Sequence, residues 1–550
     1  MNNDALPLRV ETSPLTELSQ IDSDNDTRKC DTEGEHHKEG YEEVPDHTPK
    51  EFATGLWLDP SNDSHGRGKC HQAIYAAIDA VAQGEVDLEH TESAFVVLAD
   101  DKPANYQEAI NSPDSEWWKA SMKKEYETLT GYNTWELVEK PPNTNIIGCR
   151  WTYHVKHDNL GQTNELKSQL VAQGFSQIPG LNFDATYSPT ICFTSIQLIL
   201  ALTCHYNLEL QHIDVKGAYL NGVLENNVYM KQPKGFVESG QEHMVCKLKK
   251  GLYGLKQSGR VWHQTLKCEM EKLGFMSSDA NTTVFFHFSK DKIEIVRWYV
   301  DNGLVATSCI RLMEHIVKDI GGSFNIQDLG KPDRLLRIKI MHDHDLGTIQ
   351  ILQPSFINTI LRHFDITSGR AVSSPMDPSA DLCSSTNTDS TIDIPYASLI
   401  GSINYCAIST QPDIAFATNK CAQFTSRPNL SHWEAAKRVV HYLLNMRDHG
   451  IKYTQAGNGV EGYTHNLAGF TDADFAGDTT NCRSTTGWVF TFNGAPISWA
   501  SKKQSLVMHS SMEAKLMAGS ITSAEGIWLI RLGKDFRHDL TPIPLLCGIS

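Results

Sequence analysis

Apolar and polar positions along this chain switch between two periods, and the switches mark its elements. Trp118, Met122, Tyr126 and Leu129 recur at helical spacing, one apolar stripe of a helix that Asn111-Ser112-Pro113 leads into and Gly131 ends. Thr134-Trp135-Glu136-Leu137-Val138 and Cys149 to Val155 alternate as strands do, joined by a loop through Pro141-Pro142. His157 to Gly161 reads as a turn and Leu166 to Phe175 as a returning strand. Thr194 to His205, with its apolar stretch Ile196 to Cys204, predicts a buried helix, and His212-Ile213-Asp214-Val215 a short strand. Arg297 to Val305 predicts a hairpin with its bend at Asp301-Asn302-Gly303, because Asn and Gly tolerate left-handed backbone. His432 to Met446 reads as a helix leading to a second domain that begins near Tyr463. There, strands at Ala468 to Asp474, Trp488 to Phe492 and Pro496 to Ala500 precede a long helix capped by Ser510. This mixture predicts an α+β fold.

Composition refines the picture at the ends. Residues 1 to 105 are polar and acidic and predict a disordered leader, since so little apolar surface cannot offset the ordering entropy. A weak helical signal runs through Ala73 to Ile78, and Cys30, His36, His37, Cys70 and His71 lack the spacing of a zinc site. Of the net charge of −17, the first 100 residues carry −15, with 22 acids against seven bases. The remainder is nearly neutral, so net charge alone does not argue for nucleic-acid binding, although Lys247-Lys249-Lys250 and Lys502-Lys503 are local basic clusters. The 13 cysteines show no CxxC pair, no apolar run reaches the length of a membrane span, and no signal peptide opens the chain. These features predict an intracellular protein with reduced thiols. Asp381 to Asp393 is rich in Ser, Thr and Asp and reads as a linker.

Candidate chemistry centres on two acids. Asp214 ends one apolar strand and Asp301 lies at a hairpin tip. If those strands are neighbours, the carboxylates converge and could hold a pair of divalent ions roughly 3.5–4 Å apart, an arrangement suited to nucleotidyl transfer. Magnesium, which takes oxygen ligands and keeps positions for phosphates, fits that work. By themselves, the same residues are also ordinary turn and surface residues.

A series of phrases decides between these readings. Asn133 to Val138, Gly148-Cys149-Arg150-Trp151, Leu170 to Phe175 and Thr186-Tyr187-Ser188-Pro189 are followed by Asp214 to Gly222 and Val228 to Pro233. Leu252 to Gln257, Asp328-Leu329-Gly330, Gly401-Ser402, Gln411 to Ala415 and His432 to Arg438 then come in order. From about Trp117 to Met446 the chain resembles the reverse transcriptase of copia-type long-terminal-repeat retrotransposon Pol polyproteins. The resemblance implies a right-hand polymerase of fingers, palm and thumb over residues 106–370, a connection region over 371–462 and an RNase H-like α/β domain over 463–550. It implies that Asp214 and Asp301 bind two Mg2+ ions, that Tyr219 stacks under the nucleotide sugar and excludes a 2′-hydroxyl, and that Gln257 lines the nucleotide pocket, with Lys167 beside it. An RNA or DNA template with its primer and dNTPs would be the partners. Asp472 and Glu513 would be the first carboxylates of the RNase H-like site.

The departures from the family pattern matter as much. The turn reads Tyr-Val-Asp-Asn, so Asn302 stands where the family has a second acid. Gln169 replaces an expected arginine, Gln173 a lysine, and Arg337 a glycine, while Ser258-Gly259 stands where Ala-Pro is common. Leu545-Leu546-Cys547-Gly548 puts Gly548 at the third RNase H acid, and the segment carrying a fourth is expected to be missing. The expectation is a polymerase fragment with an impaired active site and no RNase H activity. A non-catalytic nucleic-acid-binding remnant and an inert product are the alternatives.

Overall fold

A computed structural model describes residues 103–548 apart from 158–162, 190–191, 290–291, 367–371, 378–381, 383–393, 456–466, 539 and 542. The expected leader up to residue 102, the turn after His157, most of the linker and the start near Tyr463 lie outside the described residues. Helices and strands are mixed throughout. None of the described helices is long and apolar enough to cross a membrane.

The Ser115–Gly131 helix buries Trp118, Met122 and Leu129, as its stripe predicts. It covers the ribbon formed by β3 (Cys149–His157) and β4 (Thr163–Ala172), which follow β1 (Trp135–Val138) and β2 (Ile146–Ile147). Ser121 Oγ accepts the Ser168 amide at 2.7 Å and fixes the ribbon against the helix. After β5 (Glu209–Val215) come β6 (Val223–Met230) and β7 (Val245–Lys250). They complete a four-stranded sheet ordered β1-β7-β6-β2, whose core includes Ile147, Val228, Met230 and Leu248.

A six-stranded sheet lies at the centre. Its strands β8 (Met276–Ser277), β9 (Val284–Ser289), β10 (Lys292–Tyr299), β11 (Asn302–Thr307) and β12 (Ile326–Gly330) join β5 in the order β12-β5-β11-β10-β9-β8. One face, with Ile213, Val215, Trp298 and Val305, packs on the helices Ser258–Lys272 and Ile310–Ser323 through Trp262, Leu266, Met313 and Ile316. The other face, with Leu210, Tyr299, Leu304 and Ala306, packs on the helix Phe193–Tyr206, which is buried over most of its length.

That second core does not stop at the sheet. It runs on through β13 (Arg334–Leu335), β14 (Ile338–Asp343), β15 (Thr348–Leu352) and β16 (Ile451–Thr454), and through the helices between them. It then reaches β17 (Leu467–Ala473), β18 (Thr485–Phe492), β19 (Ala495–Lys503) and the Ser511–Asp535 helix, through Leu467, Phe490, Ile497, Leu529 and Leu532. Here β20 (Leu545–Cys547) pairs parallel to β17, and the order is β19-β18-β17-β20. Polar ties reinforce the junction: Trp528 Nε1 donates to the Ala280 carbonyl at 2.9 Å and Trp499 Nε1 to that of Ala407 at 2.7 Å.

Two bends differ from a reading based on turn residues. β10 and β11 pair as far as Tyr299 and Asn302, so the loop is Val300-Asp301, and Asn302 and Gly303 already belong to β11. Val300, not a glycine or asparagine, takes the left-handed backbone, at φ +51°. The second bend joins β13 to β14 through Leu336 and Arg337, at φ +49° and +60°.

Candidate active site

The site begins with a row across the central sheet. Tyr299, Asn302, Asp214 and Gln327 are register partners on β10, β11, β5 and β12. The sequence distance between Asp214 and Asn302 thus collapses to one inter-strand spacing, roughly 5 Å between Cα atoms. Asp301 sits beside the row on the loop, where the Val215 N–H donates to its carbonyl at 2.8 Å. The indole Nε1–H of Trp262 donates to the Val300 carbonyl at 2.6 Å. Both loop carbonyls are therefore tied from outside the hairpin, which is what holds a β-branched residue in a conformation it normally avoids. Gly303 serves a different purpose from the one its position suggests. A Cβ there would lie 2.8 Å from both Ile213 Cγ1 and Trp298 Cζ3, so the glycine lets the strands close over Trp298.

Asp301 is pushed up to about 6, chiefly by burial and then by the charge of Asp214. Hydrogen bonding from Asn302 and the positive charge of Lys167, on β4, pull the other way. Two anions that raise each other's cost of ionisation fit a cation between them. Asn302 supplies no third carboxylate. Its Nδ2 donates to Asp301 Oδ1 at 2.8 Å and its Oδ1 lies 3.0 Å from His212 Nε2. Among the described residues no three His, Cys, Asp or Glu side chains are arranged to hold a metal ion.

The other expected residues fall as follows. Tyr219 lies on the 3-10 turn Ala218–Asn221 that leaves β5, its ring edge-on to Tyr253 at 4.6 Å. Gln257 is buried under the neighbouring loop: its Oε1 accepts Gln177 Nε2 at 2.9 Å, and its own Nε2 donates to the Asn182 carbonyl at 2.9 Å. Its amide is thus spent within the protein. Gln177, Asn182, His212 and Trp262 carry this region without having stood out in the sequence, because their partners lie far along the chain. In the C-terminal sheet, Asp472 is the last residue but one of β17 and Gly548 follows β20 beside it, the Gly548 N–H donating to the Thr471 carbonyl at 3.3 Å. The Glu513 carboxylate accepts the His509 N–H at 2.7 Å, and its own N–H is capped by Ser510 Oγ at 3.2 Å.

Residues 132–378 match the family described as reverse transcriptase (RNA-dependent DNA polymerase). A retrovirus-related Pol polyprotein from transposon TNT 1-94 of Nicotiana tabacum is 35% identical over 445 residues, 80% of this chain and 33% of that protein. The chain belongs to the copia-type retrotransposon Pol family. Within that family, the Pol polyprotein of transposon RE1 from Arabidopsis thaliana is 34% identical over 80% of this chain and 29% of its own length. The putative transposon Ty5-1 protein YCL074W of Saccharomyces cerevisiae is 29% identical over 57% of this chain and all of its own. The chain spans about a third of the two plant Pol polyproteins. A solved foamy viral protease-reverse transcriptase in complex with double-stranded DNA is similar with a TM-score of 0.37 and 12% identity, over 76% of this chain and 61% of that one. The region holding Asp214 and Asp301 is the reverse transcriptase domain of this Pol family.

Proposed function

We propose that the chain is an RNA-directed DNA polymerase by descent whose catalytic centre is reduced to two carboxylates, with polymerisation strongly impaired. The central sheet would be the palm, the β1-β7-β6-β2 sheet and the β3–β4 ribbon the fingers, and the segment near 350–370 the thumb. A template with its primer and dNTPs would occupy the side on which the Tyr299-Asn302-Asp214-Gln327 row opens.

Asp214 and Asp301 would hold magnesium, which when bound activates the primer 3′-hydroxyl and neutralises the leaving pyrophosphate. This chain's own residues set how well they can. The Trp262 and Val215 ties fix the Val300 and Asp301 carbonyls and so hold the loop that carries Asp301. Lys167 adds a positive charge near Asp301 and would face the nucleotide phosphates. Tyr219, buttressed by Tyr253, would form the floor under the sugar. The observation that carries the reading is the Asn302 amide, which donates into Asp301 where the family has an acid. Losing a fixed charge from such a site costs rate directly, since preorganised electrostatics supply much of the acceleration.

Primer extension with Mg2+ or Mn2+ tests it, comparing wild type, Asn302→Asp and Asp214→Ala. Efficient extension by wild type would sink the impairment. Wild-type extension that survives Asp214→Ala would sink the assignment of the site.

The C-terminal sheet with its Ser511–Asp535 helix would be an RNase H-like domain without cleavage activity, because Gly548 stands beside Asp472 and contributes no carboxylate. Cleavage of a labelled RNA–DNA hybrid by the purified protein would overturn that part.

A further inference from the structure

Asp472 and Glu513 are the acids a divalent ion would need in the C-terminal sheet, yet their surroundings do not suit one. Lys515, near the start of the Ser511–Asp535 helix, places its Nζ 3.2 Å from Asp472 Oδ1. The same ammonium donates to the Gly548 carbonyl at 2.5 Å. The Lys515 side chain is only 17% exposed, whereas that of Asp472 is 60% exposed, so the cation comes from the protein side of the carboxylate. On the far oxygen, a Cβ at Gly548 would lie 2.7 Å from Asp472 Oδ2, so no further side chain enters there without a shift. Glu513 is turned to the His509 N–H.

We propose that Lys515 is a tethered cation standing where a divalent ion would otherwise sit, closing this corner to metals and fastening β20 to β17 and to the helix. The proposal rests on reading Asp472 and Glu513 as remnants of a metal site. An ammonium already in the chain meets the charge of Asp472 without the translational entropy that a free ion loses on binding. A divalent ion must displace it from two acceptors and then tolerate a like charge beside it. The clamp also matters mechanically. β20 pairs with β17 over three residues only, Leu545 to Cys547, and the Lys515 bond to Gly548 adds a cross-link at the open end of that short ladder.

Terbium, an oxygen-seeking luminescent ion, tests this in the full chain. Trp488 is the register partner of Thr471 and lines the same groove as Asp472, so it can sensitise emission. Asp214→Asn and Asp301→Asn in every sample silence the other acidic site. The expected result is no Asp472-dependent emission from this background, at least tenfold tighter terbium binding on adding Lys515→Met, and loss of that gain on adding Asp472→Asn. Lys515→Arg, which keeps the cation, should stay dark. A separate readout, amide exchange at Leu546 and Cys547, should quicken at least tenfold in Lys515→Met while the central sheet is unchanged. Terbium bound through Asp472 with Lys515 in place would overturn the closure and keep the acidic-site reading. Silence in both the background and Lys515→Met would overturn the proposal together with that reading. Unchanged exchange at Leu546 and Cys547 would remove the clamp.

Discussion

Asn302 donates its Nδ2–H to Asp301 Oδ1 at 2.8 Å, so the residue after the loop acid is a hydrogen-bond donor to it and not a second anion. His212 holds the other end of the same amide at 3.0 Å. Asn302→Asp would turn this contact into a repulsion that a bound cation relieves.

Asn302→Asp should therefore gain primer extension on the order of 10²-fold over wild type, the scale on which one preorganised charge-stabilising group acts. Without metal, the same variant should melt lower than wild type and recover as Mg2+ is titrated in, because a ligand that binds only the folded state raises its stability. Melting that does not respond to Mg2+ would count against a metal position between these residues.

The Trp262 bond to the Val300 carbonyl is expected to hold the loop in place. Trp262→Phe keeps the ring packing but removes the donor, and should cost about 1–2 kcal/mol in denaturant unfolding. In an Asn302→Asp background it should also lower the extension rate more than it raises the KM for dNTP. An unchanged rate would mean that the loop needs no external tie.

Arg337 occupies a left-handed position, with φ +60°, next to Leu336 at +49°. Such backbone costs a side-chain-bearing residue roughly 1–2 kcal/mol. Arg337→Gly should stabilise the protein by about 0.5–1 kcal/mol, the gain being trimmed by backbone entropy and by the lost contact of Arg337 over the Phe356 ring at 5.8 Å. A lower melting temperature would show that the ring contact outweighs the strain.

The pair of buried Asp478 and half-buried Lys503 sets an acid-sensitive contribution. Burial pushes the Asp478 carboxyl up, but the Lys503 ammonium and the Thr480 hydroxyl and N–H pull it far below the usual range. A carboxyl depressed in the folded state stabilises it above the unfolded pKa of about 4, and the contribution is lost progressively as pH falls below that. Asp478→Asn should lose about 1–2 kcal/mol at pH 7, the scale of a weakened hydrogen bond to a charged group. The gap to wild type should narrow steadily below pH 4. A gap constant from pH 7 to pH 3 would mean that the pair contributes no charge-dependent stability.

Much of the scaffold was readable from periodicity, because each apolar stripe is also a buried face. Trp118, Met122 and Leu129 illustrate this in the first helix, and the run Leu198 to Leu202 in the buried one. The Ser510 cap was readable for the same local reason. The hairpin bend was not. Asn and Gly at 302 and 303 are good turn formers, but the turn is placed by Trp262 and Val215, residues whose contact with the loop no local pattern reveals. Gln257 was assigned by its phrase, and only the fold brings Gln177 and Asn182 to its amide. Lys515 went unnoticed because a lysine on a helix is normally solvated, and only the β17–β20 pairing brings the Gly548 carbonyl and Asp472 to it.

The apolar core that runs from Leu210 and Tyr299 through Tyr405 and Tyr453 to Phe490 and Leu529 has a practical corollary. A cut near residue 460 would not release an independent polymerase module. It would bare the side of Tyr453 that faces β19 and strip Ala280 and Ala407 of the indoles that bond them. Shortened versions of this chain should therefore be lost to aggregation and proteolysis, so that the C-terminal sheet is retained as packing for the rest of the fold whatever chemistry either part carries.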